Sequence, residues 1–321
     1  MAKRGFSIGE ALGDGFRLAG RRPMSVFVWG LIVILPVFAQ IGLLAGAFMN
    51  LPFEMFSEAA EQDDPAALQA ALMPAMMKAQ LADLLGLLLR IIGGAAVAAA
   101  AYRVVLKPAE ASRRPFGLGL GMAELQVGVT YLAVVIGLVI LTIALMLVLS
   151  GIGFGAWGHL TDIGRGWLVA ALTFVLMLGL LAAYSRVCLI PPTSVAEADF
   201  AFESGWKRGA GNTGKLALMS LAIWVLSMIV TLAGYVLIGL IGWGLWSALG
   251  LGGDWPHDPQ SLRDVVMHDP RLLWLAGGLI APLAWLYGFV MSLNLVPYAS
   301  AVRQLTPPPS GPAAEPDHSH P

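Results

Sequence analysis

The chain has 321 residues, 58% hydrophobic and 12% charged, with a mean hydropathy of +0.76 and a net charge of −1. A soluble domain carries about 25% charged residues, so this balance excludes an ordinary soluble fold and points to a membrane. No basic stripe is interleaved with aromatics, which excludes nucleic acid as a partner, and one cysteine, Cys188, excludes an intramolecular disulfide.

Residues 6–20 predict an amphipathic helix lying in the membrane interface. Ser7 with Glu10 three positions on has the form of a capping box. Ile8, Leu12, Phe16 and Ala19 recur at helical spacing, with Glu10, Asp14 and Arg17 expected on the other side. Arg21-Arg22-Pro23 then leads into a first span over 25–49. A signal peptide cleaved after Val37-Phe38-Ala39 is the competing reading, but apolar residues continue past that point.

Residues 51–78 are polar and acidic, with Glu54, Glu58, Glu61, Asp63 and Asp64. Asp64-Pro65 reads as an N-cap and first helical residue. Leu68, Leu72 and Met76 predict a short amphipathic helix that Pro74 kinks or ends. The second span is expected over 81–106, rich in Gly and Ala suited to close packing. The third, fourth, fifth and sixth are expected over 125–149, 167–190, 216–245 and 272–296, each long enough to cross about 30 Å of hydrocarbon. Gly151–Arg165 reads as a Gly-rich connector, and residues 306–321 as a disordered Pro-rich tail. The expected fold is all-α, a six-span polytopic bundle in one domain over 1–305, with interfacial helices on the cytoplasmic side.

Orientation follows from basic residues. With the N-terminus in the cytoplasm, fourteen Lys and Arg fall on that side and four on the other, so both termini are expected to be cytoplasmic.

The stretch from Arg186 to Lys215 is the most polar interruption between two apolar blocks. Pro191-Pro192 is expected to break a helix, and Phe202 and Trp206, with Lys207, to anchor an interfacial one. Sliding the N-terminal helix by 190 positions lays Ala11, Leu12, Gly15, Phe16 and Arg17 on Ala201, Phe202, Gly205, Trp206 and Lys207. The segment with Leu118, Met122 and Leu125 is a fainter third copy. The alternatives are a thrice-used unit of interfacial helix and hairpin, or chance similarity among short amphipathic helices.

Pro191-Pro192-Thr-Ser-Val-Ala-Glu197, followed by Phe202-Glu-Ser-Gly-Trp206-Lys-Arg208-Gly and Asn212, resembles a pattern in certain bacterial six-span inner-membrane proteins. Those are similar to the membrane domain of some glycerophosphodiester phosphodiesterases. The Phe6–Arg22 opening fits the same group. The resemblance implies six helices in a bacterial inner membrane and transfers no catalytic residue, since the enzymes' catalysis resides in a separate soluble domain.

Arg90 is a charge well inside a span, where it costs about 2.5–3.5 kcal/mol at the centre on insertion scales. It marks either a substrate site in the bundle or a side chain snorkelling toward headgroups past Asp83. His257-Asp258-Pro259 and His268-Asp269-Pro270 offer metal-ligand types, yet Asp-Pro is also an ordinary helix start. His318 and His320 in the tail carry no stronger metal signal. Gly117-x-Gly119-x-Gly121 and Gly151-x-Gly153-x-Gly155 lack the strand–turn–helix setting of a nucleotide motif and read as flexible span ends. Cys188 has no paired His. Trp29, Trp157, Trp167, Trp206, Trp243 and Trp255 are placed near the expected interfaces, as aromatic belts.

The expectation is therefore a non-catalytic accessory or scaffold protein, tied to envelope or lipid homeostasis, without cofactor or metal. Its expected contacts are the lipid bilayer and a membrane-protein partner or second copy. The alternatives are a small transporter or channel with its site near Arg90 and, behind that, a lipid-modifying enzyme.

Overall fold

The computed structural model describes residues 5–49, 65–119, 121–158, 160–251 and 269–306. The acidic segment 51–64, His257, Asp258, Pro259, His268, Trp255, and the tail with His318 and His320 lie outside the described residues.

All regular structure among the described residues is helical. In chain order the helices are α1 (Ile8–Arg21), α2 (Pro23–Met49), α3 (Pro65–Leu106), α4 (Pro108–Ala111), α5 (Met122–Trp157), α6 (Asp162–Val187), α7 (Ile190–Glu197), α8 (Phe202–Ala210), α9 (Thr213–Ala248) and α10 (Pro270–Leu305). A 3-10 turn, Pro115–Gly117, precedes α5. Six segments are long and apolar enough to cross a membrane: Pro23–Leu44, Leu72–Leu106, Pro115–Trp157, Asp162–Glu197, Thr213–Ala248 and Pro270–Leu305. The protein is an all-α, multi-pass, membrane-embedded helical bundle.

Several boundaries differ from the sequence expectation. Pro74 neither ends nor separates a short helix: α3 runs unbroken for 42 residues. Gly151, Gly153 and Gly155 are not a connector but part of α5. Glycine weakens a helix in water, but in an apolar environment the backbone must satisfy its own hydrogen bonds, which favours continuing the helix.

The described residues divide into two compact units. The first draws on the described residues within 5–17, 99–224 and 293–306, the second on those within 18–98 and 225–292. In the second unit small residues bring helices together. A Cβ on Gly30 would overlap the Ala284 carbonyl, and one on Gly288 would overlap that of Val26, so α2 and α10 touch backbone to backbone. Trp29 is fully buried beside this contact, so it belongs to the packing and not to an aromatic belt.

The first unit has its core in Phe6, Ala11, Leu189, Leu216, Met219, Tyr298 and Val302. Here α5 packs on α6 and α7, and α8 packs on α6 and α7. Pro191 and Pro192 do not end a helix. The chain breaks two residues earlier, after Val187, and the prolines open α7, where a missing N–H costs nothing. Ile190 through Val195 are all buried. The left-handed turn at Ala198, φ 56°, then ends α7.

Candidate functional site

The end of α3 and the start of α5 hold the most deeply buried charges of the described chain. Arg103 lies in the last turn of α3 and Glu124 in the first turn of α5, each the sign its helix end favours. The Arg103 side chain is 1% exposed and that of Glu124 7%, with Nη2 to Oε1 at 2.5 Å. Nη1 of Arg103 also donates to the Gly117 carbonyl at 2.6 Å. Lys107 and Pro108 start the four-residue α4, which brings Glu110 back to within 3.4 Å of Arg103 Nε. Arg114 completes the cluster, 3.3 Å from Glu110 and 3.6 Å from Glu124.

The connecting loop is shaped around these charges. Phe116 and Gly117 both have positive φ, 55° and 74°, which turns the Gly117 carbonyl onto Arg103. A Cβ on Gly119 would overlap Arg114 Nη1. The Gly117-x-Gly119-x-Gly121 run is therefore a tight wrapping of the ion pair, not a loose span end.

Two guanidiniums and two carboxylates balance in charge. Oε1 of Glu124 takes both guanidinium contacts, while Oε2 meets no hydrogen-bond partner among the described residues. Chemically the cluster is a clamp. Removing Arg103 would leave the Glu124 carboxylate buried without its main partner, so the pair fixes how α3 and α5 meet.

A second polar contact ties the chain ends in the same unit. Asp14 was expected on the polar face of α1, but its side chain is 15% exposed. It accepts from Ser300 at 2.6 Å and Arg303 at 2.8 Å on α10, and from Arg17 at 2.8 Å. The inward face of α1 is centred on Ala11, Gly15 and Leu18, so Phe16 is turned outward and 42% exposed. Half of the capping box forms. Ser7 Oγ accepts from the Glu10 N–H at 3.3 Å, but the Ser7 N–H goes to Gln304 at 2.8 Å rather than to Glu10.

The sequence-derived candidates lie elsewhere. Arg90 is exposed, and its Nε donates to the Gly86 carbonyl one turn back at 3.1 Å. Asp83 accepts a hydrogen bond from Gln40 of α2, within the same unit as Arg90. Neither belongs to the Arg103 cluster. Phe202 and Trp206 are 39% and 47% exposed, and the Trp206 ring lies 5.9 Å from the Arg186 guanidinium carbon. Helix α8 packs inward through Gly205 and Gly209, where a Cβ would overlap Ile190 or crowd the Arg186 carbonyl. Lys207 pairs with Glu203 on the exposed flank.

The 190-residue echo extends to burial. Ala11 and Ala201, and Gly15 and Gly205, are buried, while Phe16 and Trp206, and Arg17 and Lys207, are exposed; the fifth pair differs, Leu12 being half-buried and Phe202 exposed. The following helices start at Pro23 and Thr213, the same offset apart. The faint third copy does not form an interfacial helix: Leu118 lies in the loop, and Met122 and Leu125 belong to α5.

Asp269 is the N-cap of α10, its carboxylate accepting from the Arg271 N–H at 2.9 Å and the Arg271 guanidinium at 2.6 Å. These hydrogen bonds hold its carboxyl below the usual carboxylate range. The Asp-Pro helix start accounts for this copy of the tripeptide. Among the described residues no group of three metal-ligating side chains occurs.

In the sequence Arg103 is one of the fourteen basic residues expected on the cytoplasmic side, beside Lys107, Arg113 and Arg114. The signal present was its pairing in type with Glu110 and Glu124 across a Gly-rich turn. No protein-family profile, curated protein sequence or solved structure matches the chain.

Proposed function

We propose that the chain is a non-catalytic accessory or scaffold protein of a bacterial inner membrane, acting in envelope or lipid homeostasis with both termini in the cytoplasm. The observation that carries this reading is the Arg103–Glu110–Arg114–Glu124 cluster. The charges the fold removes from water bind one another and a backbone carbonyl, which is the work of a clamp. The fourteen-to-four asymmetry of basic residues supports the orientation. The resemblance of Pro191–Asn212 to bacterial six-span proteins supports the membrane and the broad role. The apolar outer faces of α5 and α6 suit lipid and a membrane-embedded partner or second copy.

Transport through a site at Arg90 is less well supported. An exposed arginine bonded to its own helix is the geometry of a side chain reaching along the helix toward headgroups.

The test is complementation. In a strain lacking the protein and stressed with EDTA, the double variant Arg103→Met/Glu124→Met should restore growth, because an apolar pair of similar volume can replace a clamp. A double variant that accumulates and melts like the wild type yet fails to restore growth would show that the charges themselves do the chemistry. Orientation is read separately, from a cysteine placed at exposed Gly9 in a Cys188→Ala background. An impermeant maleimide should label it only after spheroplasts are lysed.

A further inference from the structure

A concave groove of about 260 Å³ lies between α5 and α6, lined by Met146, Ser150, Gly153 and Trp157 on one side and Leu172 and Leu176 on the other. Its walls are mostly apolar, with Ser150 and Thr173 the polar side chains among them. From Met146 to Trp157 the helix rises by roughly 16 Å at 1.5 Å per residue. That matches the depth of one leaflet's hydrocarbon, about half of 30 Å. Gly153 keeps the helices close, since a Cβ there would stand 3.3 Å from Leu172 Cδ1.

The groove has one charged end. The Arg165 guanidinium carbon lies 5.3 Å from the Trp157 ring centroid, and its Nε donates to the Trp157 carbonyl at 3.2 Å. Its Nη1 pairs with Asp162 at 2.9 Å, with the Arg165 side chain 35% and that of Asp162 96% exposed. Thr161 caps α6 by accepting from the Gly164 N–H at 3.2 Å, which fixes the turn that presents the pair. A cation and an anion are thus held side by side where the apolar groove opens.

We infer that this groove binds a phospholipid with a zwitterionic, primary-ammonium headgroup, one acyl chain lying along α5 and α6. Arg165 faces the phosphate and Asp162 accepts from the ammonium. A single-sign headgroup would satisfy only half of the pair, and a quaternary ammonium has no N–H to give Asp162. The rest of the hairpin surface is also apolar, but this strip joins a leaflet-long concavity to a charge pair.

The full-length protein, reconstituted with equal amounts of phosphatidylethanolamine, phosphatidylglycerol and phosphatidylcholine, is examined by native mass spectrometry. One phosphatidylethanolamine should be retained about tenfold over either competitor, the worth of one charge-assisted hydrogen bond. Asp162→Asn should erase the preference over phosphatidylcholine, and Gly153→Phe should abolish retention with helicity unchanged. Should Gly153→Phe lose helicity, Ser150→Leu, which narrows the same groove, decides. Equal retention of the three lipids by the wild type, or retention unaltered by both groove variants, would reduce the groove to ordinary annular lipid. A dimer that replaces the bound lipid and disappears in the groove variants would assign the groove to a second copy.

Discussion

Arg90 and Arg103 stand thirteen positions apart on α3, and the same helix treats them in opposite ways. Arg103 is almost wholly enclosed, with Glu124, Glu110 and the Gly117 carbonyl around its guanidinium. Arg90 is exposed and bonds the carbonyl of its own preceding turn. A charge within an apolar helix therefore has no fixed meaning. What decides is whether other elements bring carboxylates and a carbonyl to it, or whether a flexible stem lays it back along its own helix in the open.

The largest expected effect follows from that contrast. Arg103→Met should destabilise the protein by about 3–5 kcal/mol, because Glu124 is left buried without its main partner. Arg90→Met should change stability by less than about 0.5 kcal/mol. Unfolding by a graded SDS titration, followed by circular dichroism, measures both. Arg103→Met/Glu124→Met should return to within about 1 kcal/mol of the wild type, since neither charge then remains uncompensated. Equal losses from Arg90→Met and Arg103→Met would remove the distinction between them.

A smaller effect tests the loop that encloses Arg103. Gly117→Ala should cost about 1–2 kcal/mol, because a Cβ residue there must adopt φ near 74° and press on Val104. The readout is the same titration. In the Arg103→Met/Glu124→Met background the cost should persist, since the strain is in the backbone and not in the charge pair. A cost that vanishes there would mean the turn is held only by its bond to Arg103.

The two arginines also mark what was legible in the sequence. The six apolar helices were readable, because a run of about 20 apolar residues has few other uses. So was the Asp269–Pro270 helix start, a local hydrogen-bond pattern set by adjacent residues. Arg90 drew attention because its neighbours are apolar. Arg103 did not, because Lys107, Arg113 and Arg114 lie close by and give the segment the look of a solvated connector. Its burial depends on Glu124, twenty-one residues on, and on a left-handed turn at Phe116 that sequence preference disfavours. Asp14 illustrates the same limit: helical spacing gives a face, but the partners Ser300 and Arg303 come from the other end of the chain. The prolines at 191 and 192 were readable as a discontinuity. On which side of them the break falls depended on α7 being buried against α5 and α8.

The smallest expected effect is at the exposed extreme of the comparison, the Glu203–Lys207 pair on α8. The hydrogen bond from Lys207, followed by its charge, holds the Glu203 carboxyl below the usual carboxylate range. Because the folded value lies below the unfolded one, the pair's support is present at neutral pH. It is lost progressively as pH falls from the ordinary carboxylate range through that depressed value. Both groups are open to solvent, so screening leaves little net stabilisation. Lys207→Met should therefore leave the SDS midpoint at pH 7 unchanged while raising the Glu203 titration toward the ordinary range, followed through its side-chain carboxyl carbon by NMR. If Lys207→Met instead lowered the midpoint as far as Gly117→Ala does, exposure would not be what separates a weak charge pair from the Arg103 clamp.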